Sequence, residues 1–182
     1  MPVLVVGPGR CGTSLAAGVC HKLGINMGTR LMPGNPTNPL GHFEDLDFHE
    51  IHERLFFESI SFGAFIDKAK RLIAARTEPW GLKDPRLCPL LPFYLGQFER
   101  PTIFRCRRRH HEVVQSFMKA YPDAFVPATV ERIVAVGEGY LDQYLGGYDV
   151  TELWFHDRQN TVDVIAERLL VEPTQEARDF VE

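Results

Sequence analysis

The first 23 residues constrain this chain most. Val3-Leu4-Val5-Val6 is a short apolar, mostly β-branched run, and Gly7-Pro8-Gly9-Arg10-Cys11-Gly12-Thr13-Ser14 follows it directly. Leu15, Ala16, Val19, Cys20 and Leu23 then recur at helical spacing, and Gly24 suits a helix stop. A buried strand, a glycine-rich turn and a helix in that order make an anion cradle. Loop and first-turn N–H groups converge at the end of the helix, where the helix dipole also favours negative charge.

The spacing Gly7-x4-Gly12-Thr13-Ser14 approaches that of an ATP-type phosphate loop, with one difference. That loop places Lys after its second glycine to reach the outer phosphates. Thr13 stands there instead, and the loop's cation is Arg10. The loop is therefore expected to hold a phosphate-like group by another route than ATP binding.

Apolar runs alternate with helical patterns along the rest of the chain. Further strands are predicted over Pro79–Lys83, Pro101–Arg108 and Val150–Phe155. Helices are predicted around Phe48, Ile51, Leu55 and Phe56, over Ala64–Arg76, around Val113, Val114 and Phe117, and over Pro127–Tyr144 and Asn160–Leu170. Residues 171–182 read as a charged, partly ordered tail. This alternation predicts an α/β domain spanning 1–182, with a mostly parallel central sheet between two helical layers. The segment Asn26–Gly41, with Pro33, Gly34, Pro36 and Pro39, reads as a long loop leading from the cradle and lying over it.

Two charged stretches close predicted strands: Lys83-Asp84-Pro85-Arg86, and Arg105 through Arg109. In an open α/β sheet ligands collect outside the carboxyl ends of strands. The arginine cluster is thus expected to form a second anion site. The net charge of −4 argues against general nucleic-acid binding, and no run approaches the length of a membrane span. Cys11, Cys20, Cys88 and Cys106 lack paired spacing and suit reduced thiols, which with a fold beginning at residue 3 predicts a cytoplasmic protein. His49 and His52 do not have the spacing of a zinc motif, so no metal is expected.

Two anion sites at one sheet edge suit a nucleotide carrying charge at both ends. Here the chain resembles the PAPS-dependent sulfotransferase family of the phosphate-loop superfamily, in particular its bacterial and phage-like members. The resemblance runs in order through Gly7–Ser14, Gly41-His42-Phe43-Glu44-Asp45, Trp80–Arg86 and Arg108–Ser116. It departs at Cys11, where the family commonly has Ser, and at Arg108-Arg109-His110, where it has Arg-Asp-Pro. Lys83-Asp84-Pro85 also replaces the Lys-Thr-His of steroid- and phenol-type members.

The resemblance implies transfer of a sulfuryl group from 3′-phosphoadenosine 5′-phosphosulfate (PAPS) to a small-molecule or carbohydrate acceptor, releasing PAP. It implies that Gly9, Arg10, Cys11, Gly12, Thr13 and Ser14 hold the 5′-phosphosulfate, and that Arg108 and Ser116 hold the 3′-phosphate. Arg10 and Lys83 would neutralise the leaving group. Glu44, which ends the long loop and matches the family's Gly-x-Phe-Glu stretch, is expected to be the base, with His42, Asp45 and Asp84 as alternatives. The rival expectations are a small-molecule or nucleotide kinase, disfavoured by Thr13 in the lysine position, and a catalytically silent nucleotide-binding module.

Overall fold

The computed structural model describes residues 1–57 and 59–182. Its sheet has four strands, β1 (Val3–Val6), β2 (Gly81–Lys83), β3 (Thr102–Arg107) and β4 (Val150–Trp154). They lie in the order β2-β1-β3-β4, every neighbouring pair parallel. Around it pack α1 (Thr13–Lys22), α2 (Leu46–Phe56), α3 (Phe62–Ala74), α4 (Leu87–Leu95), α5 (His110–Ala120), α6 (Pro127–Leu145), α7 (Arg158–Leu169) and α8 (Gln175–Val181).

Strand alternation sorts the core into two layers. Val3 and Val5 of β1 join a cluster with Ala16 and Val19 of α1, Val162 and Ile165 of α7, and Val181 of α8. Leu4 and Val6 face the other way, into a cluster with Phe48 of α2, Phe65 of α3, and Leu87, Leu91 and Tyr94 of α4. All four residues of β1 are buried because both faces are covered, as an apolar run without polar alternation requires. The result is the expected three-layer α/β arrangement. The chain leaves β1 for β2 on one side and returns to β3 on the other, so the strand order reverses around β1. A crevice opens at such a point, and the loop 7–12 lies there. No helix among the described residues is long and apolar enough to cross a membrane.

The structure goes beyond the sequence reading at three points. Residues 87–95 form α4, which Pro89 and Pro92 hide from any periodicity argument. The tail folds in part as α8, capped by Thr174, whose Oγ1 accepts from Ala177 N at 3.1 Å. Phe180 of α8 rests against Gly18, where any Cβ would overlap the ring. Finally Phe56, Ile133 and Val136, which lie in predicted helices, are 45%, 42% and 54% exposed.

Candidate anion-binding site

The loop after β1 is built for close approach. Gly12 has φ +95° and precedes α1 with no capping side chain; a Cβ there would stand 2.7 Å from Phe155 Cδ2. Cys11 N donates to Pro8 O at 3.3 Å and Ala16 N to Gly12 O at 3.1 Å, but the N–H groups of Thr13, Ser14 and Leu15 find no acceptor among the described residues. Three donors at the positive end of a ten-residue helix therefore face the cavity above it.

Lys83 closes one side of this cradle. Its Nζ donates to Ser14 Oγ at 3.1 Å and to Glu44 Oε1 at 2.5 Å. The other Glu44 oxygen accepts from His49 Nδ1 at 3.2 Å. Burial alone would raise the Glu44 carboxyl, but the Lys83 charge and the hydrogen bonds from His49 and Lys83 outweigh it and lower its pKa to about 2. A carboxylate held that low is a weak proton acceptor. The expectation that Glu44 is the base is revised accordingly: in this arrangement it fixes Lys83.

The other base candidates separate on geometry. Asp84 is committed below the site, its Oδ2 accepting from His52 Nδ1 at 2.8 Å and its Oδ1 from Arg86 N at 2.8 Å. A carboxylate can only accept there, so His52 Nδ1 bears a proton toward it, and Nε2 is hydrogen-bonded with the Tyr94 hydroxyl at 2.6 Å. Asp45 caps α2, accepting from Asp47 N at 2.9 Å, and pairs with Arg76. His42 lines the cavity, and desolvation followed by the Lys83 charge lowers its pKa, so its imidazole is neutral at pH 7. Of the four, His42 is the one equipped to accept a proton.

Arg10 closes the opposite side. Its backbone is left-handed, φ +69°, which turns the side chain across the loop. Its Nε donates to Ser116 Oγ on α5 at 3.1 Å, and its Nη2 to Thr37 O at 3.0 Å. Arg108 Nη1 reaches Arg10 O at 3.3 Å, and its guanidinium lies 4.2 Å from the centre of the Phe155 ring. Arg158 stands 4.4 Å from the same ring. The two expected anion positions are thus contiguous, joined by the Arg10–Ser116 hydrogen bond.

Gly9, Arg10, Gly12, Thr13, Ser14, Glu44, Lys83, Arg108 and Ser116 all line one cavity of 970 Å³. Cys11 does not. It is buried under the loop, its N–H is already used, and burial with the nearby Glu138 charge pushes its thiol up to about 12. Cys11 is therefore a packing residue rather than a ligand contact or a reactive thiol. One ligand atom each of Glu44, His49 and Asp84 lies within 4.8 Å of the others, but Lys83 and Arg86 pair with the two carboxylates and balance their charge.

Sequence reasoning missed two cavity residues. Asn38 Nδ2 donates to Ser14 Oγ at 3.0 Å and to Gly41 O at 2.9 Å, tying the long loop over the cradle. The Asn-Pro-Thr-Asn run marks a turn there, but nothing in it says what the amide meets. Arg158 sits among ordinary charged residues and carries no sequence signal at all. No family model matches the chain, and no curated protein matches its sequence.

Proposed function

We propose that this protein is a sulfotransferase that takes a sulfuryl group from PAPS and places it on an acceptor hydroxyl. The observation that carries this reading is the pairing of two cation-rich ends in one cavity. Three N–H groups of α1 that find no acceptor among the described residues form one end with Lys83; Arg108 and Ser116 form the other, and Arg10 joins the two through its bond to Ser116. A nucleotide with anionic groups at two points engages both ends.

Bound PAPS would supply the activated sulfuryl group. The first-turn donors of α1 and the Ser14 hydroxyl hold and orient its 5′ end. Lys83, kept in place by Glu44, neutralises charge that builds on the leaving oxygen, and Arg10 does so from the loop side. Ser116, which accepts from Arg10, keeps its own O–H free to donate to the 3′-phosphate beside Arg108. His42 takes the acceptor's proton, a contribution on the order of 10²–10⁴-fold.

Thermal unfolding with PAP, with ATP·Mg²⁺ and with neither tests the reading. Stabilisation by PAP but not by ATP·Mg²⁺ supports it. The reverse result makes the protein a kinase. Stabilisation by PAP without turnover of PAPS across an acceptor panel makes it a binding module.

A further inference from the structure

One buried polar chain takes no part in the proposed transfer. His52 of α2 is fully buried, and the rings of Phe48, Phe65 and Tyr94 are centred 6.3, 5.9 and 5.7 Å from its own. Both its ring nitrogens are nevertheless engaged, Nδ1 with Asp84 Oδ2 at 2.8 Å and Nε2 with the Tyr94 hydroxyl at 2.6 Å. Asp84 and Tyr94 are buried as well. Apolar side chains of similar volume often fill such a space at equal or better stability, so stability alone explains a buried polar chain poorly. What the chain supplies is direction, because each hydrogen bond fixes an angle that apolar packing leaves loose.

The segment so directed is the turn between β2 and α4. The ladder of β2 with β1 ends at Lys83, opposite Val5. Beyond it Leu87 N donates to Asp84 O at 2.9 Å, and Cys88 N to Pro85 O only at 3.5 Å. The Asp84 carboxylate strengthens this turn, Oδ1 accepting from Arg86 N at 2.8 Å within it and Oδ2 tying it to His52. Tyr94 lies two turns along α4 from Leu87, and its side chain reaches back toward the helix start. Helix α2, the turn and α4 are thereby closed into a ring.

A second route runs along α2 itself. His49, one turn before His52, lines the cavity, and its Nδ1 lies 3.2 Å from Glu44 Oε2. Arg86 Nη1 donates to His49 O at 3.2 Å. Glu44 in turn holds the Lys83 ammonium. Both routes from His52 end on Lys83.

We infer that His52, hydrogen-bonded between Asp84 and Tyr94, is a positioning residue for Lys83. It does not reach the cavity. It acts through Asp84, the residue after Lys83, and through the helix that carries His49 to Glu44. The ammonium is thereby aimed at the first turn of α1. This rests on the sulfotransferase reading only for the ligand used to measure it.

The test is a double-mutant cycle that pairs Lys83→Gln with His52→Leu and reads PAP affinity by calorimetry. Lys83→Gln alone is expected to weaken PAP at least about ten-fold, the share of one charge-assisted contact. His52→Leu is expected to weaken PAP nearly as much, and in that background Lys83→Gln should cost no more than about two-fold. His52→Asn, whose amide can still donate to Asp84 from the Nδ1 position, is expected to recover most of the affinity. A purely structural His52 would lower the melting temperature while Lys83→Gln kept its full cost in both backgrounds. That result overturns the inference, as does a Lys83→Gln that costs nothing in wild type. Should His52→Leu not fold, Tyr94→Phe, which removes one hydroxyl, replaces it in the cycle, and the cost of Lys83→Gln must again shrink. If wild type does not bind PAP, the sulfotransferase reading falls, and the cycle is run with inorganic pyrophosphate, which needs only the α1 cradle and Lys83. Binding of neither anion overturns both.

Discussion

Lys83 at the end of β2 and Ser14 in the first turn of α1 are 69 positions apart in the chain, and their side chains meet at 3.1 Å. The parallel pairing of β1 with β2, Val5 opposite Lys83, brings them together. The loop that opens at the end of β1 thereby acquires a lysine that its own sequence lacks, since Thr13 stands where an ATP-type loop carries lysine. A strand-borne lysine in place of a loop-borne one is the feature around which the site is organised.

The Glu44–Lys83 pair makes stability depend on pH in a defined direction. The Glu44 carboxyl is lowered from 4.5 to about 2 in the folded protein, so its contribution is complete above about pH 4.5 and disappears as pH falls toward 2. Glu44→Gln removes that dependence. Urea unfolding at pH 6 and pH 3 should show wild type losing more stability than Glu44→Gln across the interval. In turnover with PAPS the same variant is expected to lose activity by misplacing Lys83, with the acidic limb of the pH profile unmoved. An acidic limb that vanishes with Glu44 restores it as the base.

Arg10 holds a left-handed backbone that costs a non-glycine residue on the order of 1–3 kcal/mol. Arg10→Gly should therefore unfold at a higher temperature than Arg10→Ala, while both lose PAP affinity about equally. Stability and binding then move independently, as they must if the residue is there for the anion. A fold that collapses in Arg10→Gly, or PAP affinity that survives in either variant, removes Arg10 from the site.

The loop over the cradle is held by contacts that an anion competes for. Asn38 donates to Ser14 and Thr37 O accepts from Arg10, while Asn35 Oδ1 keeps the turn in shape by accepting from Thr37 N and Asn38 N, both at 2.9 Å. Amide exchange of residues 35–42 is expected to change when PAP binds, and Asn38→Ala is expected to raise exchange there in the free protein. Exchange indifferent to both would mean that the loop is fixed by something other than the site.

How far the sequence could be read follows from where each signal is local. The strand 3–6, the loop 7–14 and the helix after it are written in adjacent residues, and so were legible. Helix α4 was not, because Pro89 and Pro92 break the local signal while its apolar packing against α2, α3 and α6 makes up for them. Helix α8 depends on Phe180 meeting Gly18, a contact 162 positions apart that no periodicity records. Arg10, Lys83 and Arg108 stand out in the sequence as charges in the loop and at strand ends, whereas Ser116 on α5 was pointed to only by the family resemblance. The state of Glu44 was not legible, since a carboxyl's pKa is set by what the fold places beside it, here Lys83 and His49. The Arg10–Ser116 bond likewise joins two positions that the sequence presents as separate anion sites.

The most direct test of two linked anion positions is calorimetric titration of wild type and Arg108→Ala with PAP and with AMP, which lacks the 3′-phosphate. A charge-assisted hydrogen bond contributes about 1.5–3 kcal/mol, so wild type is expected to prefer PAP by roughly ten- to hundred-fold. Arg108→Ala should lose most of that preference while its AMP affinity stays within a few-fold of wild type. Equal binding of PAP and AMP by wild type would contradict the account, because the end of the cavity formed by Arg108 and Ser116 would then hold no phosphate.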